Sequence, residues 1–90
     1  MPSEMIFLRN ALEARGISYI DASDEMQKSF PFMNLTIYRT KFIWKNHLFS
    51  VISGYGTFGG DKGLLELMVD SDEPCGCLKA VDVLRVMDNA

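Results

Sequence analysis

An α+β fold follows from three features of this ninety-residue sequence. An amphipathic run at the start ends in a glycine, a β-branched and aromatic tract at the centre is broken by one tight turn, and apolar-faced helical runs close the chain. Together they predict a small antiparallel sheet in a single domain over residues 1–90. Its central hairpin should lie at about 35–45 and 48–54, with a short strand at about 17–20. An N-terminal helix and two C-terminal helices should pack against it.

The first helix is expected from Ser3, as its cap, to about Arg15, with Glu4 placed favourably in the first turn. Met5, Leu8 and Leu12 give it one apolar face, and Gly16 is the expected stop. Ile17 to Ile20 alternates as a short strand. Asp21 to Phe32 is mixed and polar, with one helical turn expected around Ser23–Lys28 and an end at Pro31. Leu35 to Trp44 and Leu48 to Ser53 carry strand composition around Lys45-Asn46-His47. Pairing Trp44 with either His47 or Phe49 leaves Tyr38, Thr40, Phe42, Trp44, Phe49 and Val51 on one face. Arg39, Lys41, Ser50 and some aliphatics take the other. Gly63 to Val69 and Leu78 to Met87 then read as helices, separated by the acidic loop Asp70-Ser71-Asp72-Glu73-Pro74.

Composition narrows the function classes. The chain is 48% apolar and 23% charged, which suits a folded domain. No apolar run reaches the roughly twenty residues of a membrane span. The N-terminus lacks the basic segment of a secretory signal. Cys75 and Cys77 are too close in sequence for a relaxed disulfide, which points to a reduced, cytoplasmic setting. The net charge of −3 is unevenly spread: residues 26–60 carry four bases and no acid, between two acidic ends. Four bases are too few to argue for nucleic acid, where affinity scales with the phosphates neutralised.

No catalytic constellation stands out. His47 is the one histidine and reads as a strand-end residue. Cys75 and Cys77 supply two soft ligands where zinc takes four, so no metal and no cofactor is expected. Asp70, Asp72 and Glu73 lack calcium-loop spacing and read as a solvated loop. Met5, Met26, Met33, Met68 and Met87 read as core or near-core, and Trp44, Tyr38 and Phe42 as core. A non-enzymatic protein is expected.

The most informative segment is Gly54-Tyr55-Gly56-Thr57-Phe58-Gly59-Gly60. It matches GxGxxG, yet the preceding strand belongs to a hairpin and not to a parallel βαβ unit, so the match to a dinucleotide fold is weak. Lys62 lacks the following Ser or Thr of a phosphate-binding P-loop. Two readings stay open. The glycines shape a turn with Tyr55 and Phe58 over the core edge, or Tyr55, Gly56, Thr57, Phe58, Gly59 and Lys62 grip a partner. An alternative ligand for the same loop is a nucleotide or another phosphate, held by bare amides and Lys62.

Arg39-Thr40-Lys41-Phe42, then Phe49 through Gly60, then Gly63-Leu64-Leu65-Glu66-Leu67-Met68 resemble a family of small uncharacterised proteins from phages and prophages of Gram-positive gut bacteria. The resemblance spans roughly residues 17–87. Its members tend to carry a Gly-Trp-Leu-Thr-Ala-like lead into the last helix, where this chain has Gly76-Cys77-Leu78-Lys79-Ala80, without the aromatic or the hydroxyl cap. The resemblance implies a mobile-element setting inside a bacterial host and no particular reaction. The expected function is that of an accessory factor binding a host or viral macromolecule, with inhibition as one consequence. Open strand edges on so small a sheet also favour a homodimer.

Overall fold

Two residues of positive φ, Lys45 (49°) and Asn46 (66°), make the turn on which the sheet is built. This is the geometry of a two-residue hairpin whose twist matches its strands. It pairs Trp44 with His47 and sets the register of β2 (Ile37–Trp44) against β3 (His47–Gly54). The computed structural model describes residues 1–23, 36–54, 57 and 59–90. The helical turn expected around Ser23–Lys28 lies largely outside the described residues, as do Met26 and Met33.

The remaining elements are α1 (Ser3–Ala14), β1 (Ile20–Asp21), a 3-10 turn (Gly60–Lys62), β4 (Leu65–Val69), β5 (Cys75–Leu78) and α2 (Ala80–Asp88). The five strands form an antiparallel sheet in sequence order, β1 to β5. The α+β expectation holds, with one C-terminal helix instead of two.

That difference is the main correction. Residues 65–69 form a strand where a helix was expected. Leu65 and Leu67 are buried while Glu66 and Met68 are not, and β3 supplies the partners: Val51 faces Leu67 and Phe49 faces Val69. The apolar spacing of Leu64, Leu65, Leu67, Met68 and Val69 fits both periods, and the free edge of β3 decides between them. β5 is also unforeseen, so α2 begins at Ala80, not Leu78. The short strand falls at Ile20–Asp21, later than expected, because Ile17 N–H is still held by Leu12 O in the helix stop (2.9 Å).

α1 is capped differently too. Pro2 is its N-cap, and the Pro2 carbonyl accepts from Met5 N (3.1 Å) and Ile6 N (3.2 Å), so Ser3 is already helical and caps nothing through its side chain. Its end is as expected: Gly16 takes φ +71° and donates to Glu13 O, which with the Ile17–Leu12 bond makes a Schellman closure.

Both helices cover one face of the sheet and run parallel. Glu4 Oε1 accepts from Ala80 N (2.7 Å) at their N-terminal ends, and Arg15 pairs with Asp88 (3.0 Å) at their C-terminal ends. Met5, Leu8 and Leu12 from α1 meet Phe42, Phe49, Val51, Leu65 and Leu67 from the sheet, with Ala80, Val83 and Met87 from α2. Phe42 and Phe49 stack at 5.1 Å. Trp44 ties the hairpin to α2 by donating to Met87 O (2.9 Å). The core face is the one the alternation predicted, and Arg39, Lys41 and Ser50 lie on the other. No helix among the described residues is long and apolar enough to cross a membrane.

Candidate functional site

The glycine loop leaves the far end of β3 and folds back on itself. Thr57 N and Thr57 Oγ1 both donate to Gly54 O (3.2 and 2.8 Å), and Gly60 N donates to Thr57 O (3.1 Å). Lys62 N and Leu64 N share Gly59 O (both 3.0 Å), and Gly63 N donates to Gly60 O (3.1 Å). A Cβ at Gly54 would collide with Thr36 O, and one at Gly60 with Gly54 O and Thr57 Oγ1. Close approach of backbone to backbone therefore accounts for these two glycines. The amides of residues 57, 60, 62, 63 and 64 are spent within the loop, which removes them as donors to a phosphate. The loop leads into a strand, so the helix N-terminus that an anion site would use is absent from that junction. Tyr55, Gly56 and Phe58 lie outside the described residues. Thr57 and Gly59 are half-buried and Lys62 is exposed.

The hairpin tip meets the acidic loop, a contact that local sequence signals do not foretell. His47 Nδ1 lies 2.7 Å from Asp70 Oδ2, and Asp70 Oδ1 accepts from Leu48 N (2.9 Å). Asp70 takes φ +54°, and its own N–H donates to Leu48 O (2.7 Å). The His47 bond, then the Leu48 amide, hold the Asp70 carboxyl below its ordinary range. Both side chains are 48% exposed. This pair clasps the β2–β3 turn to the end of β4, and among the described residues no group of three metal-ligating side chains forms. Cys75 and Cys77 are free and exposed on β5, and Cys77 takes φ +59° in the irregularity between Leu65 and Leu67.

A different surface carries exposed apolar groups. Ile20, Ile43 and Leu48 are 68%, 61% and 41% exposed on the face of the sheet away from the helices. Ile43 and Leu48 face each other across the hairpin, and Ile20 sits beside them opposite Lys41. The sequence held a signal for this: alternation puts Ile43 and Leu48 opposite the core set. Its exposure could not be known before the helices were placed on the other side.

Next to this patch the sheet has an open edge. Trp44–His47 closes the two-residue turn, so alternation gives the bonds of Trp44, Phe42 and Thr40 to β3 and aims those of Arg39, Lys41 and Ile43 at β1. Arg39 shows this directly, its N–H donating to Ser23 Oγ (3.1 Å) and its carbonyl accepting from Ala22 N (3.0 Å). β1 reaches only as far as Ile20 opposite Lys41. Ile43 N–H and C=O point outward with no β1 residue across from them. There the chain diverges from β2 and leaves a groove of about 530 Å³, with Ile17, Tyr19 and Ile20 on one side and Lys41, Ile43 and Trp44 on the other. Among the described residues lining it, Lys41 is the charged one. Lys45 Nζ stands 5.7 Å over the Trp44 ring and donates to Ala90 O (3.0 Å).

β1 is held in place from below. Arg9 is 9% exposed and donates from Nε to Thr40 Oγ1 (2.7 Å), from Nη1 to Asp21 (3.3 Å) and from Nη2 to Arg39 O (3.2 Å). Hydrogen bonds from Ser23, then from Arg9, hold the Asp21 carboxyl at about 2.

A scan of protein-family models and searches of curated proteins and of solved structures found no match to this chain.

Proposed function

We propose that this chain is a non-enzymatic interaction protein that binds a host or viral macromolecule through the patch formed by Ile20, Ile43 and Leu48. The observation that carries this reading is the grouping of three large aliphatic side chains, 41–68% exposed, at one end of the sheet face that no described helix covers. Contiguous exposed apolar surface of this kind marks contact sites in folded proteins. The family resemblance sets the activity in a phage or prophage, inside a bacterial cell, with inhibition of the bound macromolecule as one consequence. The glycine loop, with Thr57 half-buried and Lys62 exposed, is the alternative contact surface.

The test is affinity capture from lysate of a Gram-positive gut bacterium, with wild type and Ile43→Asp side by side, both shown folded by circular dichroism. A specific protein retained by wild type and lost from Ile43→Asp supports the reading. Identical capture by both, or capture of nothing across several hosts, overturns it.

A further inference from the structure

We infer that the groove beside β2 takes an extended protein segment, rich in alternating apolar and acidic residues, which joins the sheet as a strand at Ile43. This deepens the interaction reading above and rests on it.

Three observations converge on this occupant. Ile43 N–H and C=O face outward past the end of β1 (Ile20–Asp21), and an exposed donor–acceptor pair on a strand edge is a template for another strand. The groove at that edge, about 530 Å³, has room for a few residues of extended chain between β2 and the divergent segment 16–19. Its walls are apolar apart from Ser18 and Lys41, with Ile20 and Ile43 exposed at the rim. Side chains of an added strand alternate between the two faces. One set would lie over Ile43 and Ile20 on the open face, and the other over Trp44 and Tyr19.

Charge selects among extended segments. Lys41 lines the groove and is its one charged residue among those described, while Lys45, beyond the lining, donates to Ala90 O (3.0 Å). Asp21, the nearby acid of β1, is already engaged by Arg9 and Ser23. An incoming carboxylate thus meets Lys41, a base that it can pair with. A second copy of this chain is disfavoured by the same groups. Two β2 edges paired antiparallel about Ile43 would set Lys41 of each copy opposite Lys45 of the other, and like charges directly opposite destabilise a sheet.

The free protein offers a first check by amide hydrogen exchange. Phe42 and Trp44 bond to β3, so their amides should exchange at least about tenfold more slowly than that of Ile43. The binding probe is a fluorescein-labelled heptapeptide of alternating isoleucine and glutamate, offered to the full chain. Anisotropy should rise to saturation, and Ile43 exchange should slow by about tenfold on binding. N-methylation of the peptide's alternate amides should weaken binding at least about tenfold, because backbone bonds carry strand addition. Lysine in place of glutamate should weaken it similarly, and Lys41→Glu should reverse that preference.

No saturable binding, equal binding of the N-methylated peptide, or an Ile43 amide already as slow as Phe42 would each overturn the inference. So would a dimer, seen by ultracentrifugation, that Ile43→Asp dissolves. The two proposals fail separately. If lysate capture is lost in Ile43→Asp while the peptide never binds, strand addition falls and the interaction reading stands. If the peptide binds and capture is indifferent to Ile43→Asp, the reverse holds.

Discussion

Replacing Arg9 with methionine should cost this protein about 3 kcal/mol, and the structure shows where the loss arises. A charged donor bonded to a buried partner contributes about 1.5–3 kcal/mol, and the 2.7 Å bond from Arg9 to the fully buried Thr40 is of that kind. The bond to the Arg39 carbonyl adds about 1 kcal/mol. The Asp21 carboxylate is 57% exposed, so solvent screens that pair to below about 1 kcal/mol. Burial of the methionine side chain offsets part of the sum. In a chain of this length each kcal/mol moves the thermal midpoint by about 5 °C, so Arg9→Met should melt about 15 °C lower in a circular dichroism scan. Arg9→Lys should recover little, because an ammonium cannot span three acceptors in fork geometry. The pH profile gives an independent reading. Asp21 has its folded value depressed from 3.8 to about 2, so its contribution is present above 3.8 and lost as pH falls through about 2. Arg9→Met removes one cause of that depression and keeps the Ser23 bonds, so acid unfolding should begin at higher pH without losing the Asp21 effect entirely. A midpoint within about 5 °C of wild type would refute the reasoning and show β1 to be held by something other than Arg9.

Other residues give sharper local tests. Lys79 is the N-cap of α2 and makes no side-chain cap bond, although Asp82 accepts from its backbone N–H (2.9 Å). Lys79→Thr should therefore stabilise by about 0.5–1 kcal/mol in urea unfolding, and no gain would mean that Glu4 and Asp82 already satisfy the helix start. Cys77 sits at φ +59°, so Cys77→Gly should stabilise by up to about 1 kcal/mol. A loss on the same assay would show that thiol packing outweighs the backbone relief. Gly60→Ala places a Cβ against Gly54 O and Thr57 Oγ1, so it should destabilise by more than about 2 kcal/mol. A neutral result would mean that the loop opens readily and that its inward amides are available after all.

Much of the fold was legible locally. The period-two alternation of residues 38–44 and 49–53, with Asn46 suited to positive φ between them, was enough to mark the hairpin and its buried face, while its register stayed open between two pairings. The stripe of Met5, Leu8 and Leu12 followed by Gly16 was enough for α1. These signals are local because each depends on a residue and its near neighbours, through side-chain direction and allowed φ. The candidate surface was half legible: Ile43 and Leu48 alternate away from the core set, but nothing local says whether an outer face is covered.

What only the tertiary structure decided turns on partners far along the chain. Leu65–Val69 carries an apolar spacing that suits helix or strand, and it becomes β4 because β3 has an unsatisfied edge to offer. Asp70 reaches His47 only once β4 has been placed beside β3. The open edge at Ile43 exists because β1 stops at two paired residues, a length set by the Schellman closure at Gly16 and by the grip of Arg9 on Thr40 and Asp21. Backbone hydrogen-bonding capacity is the same at nearly every residue, so sequence can mark where a strand is able to form. Which strand finds a neighbour, and which edge is left without one, is settled by the packing of the whole chain.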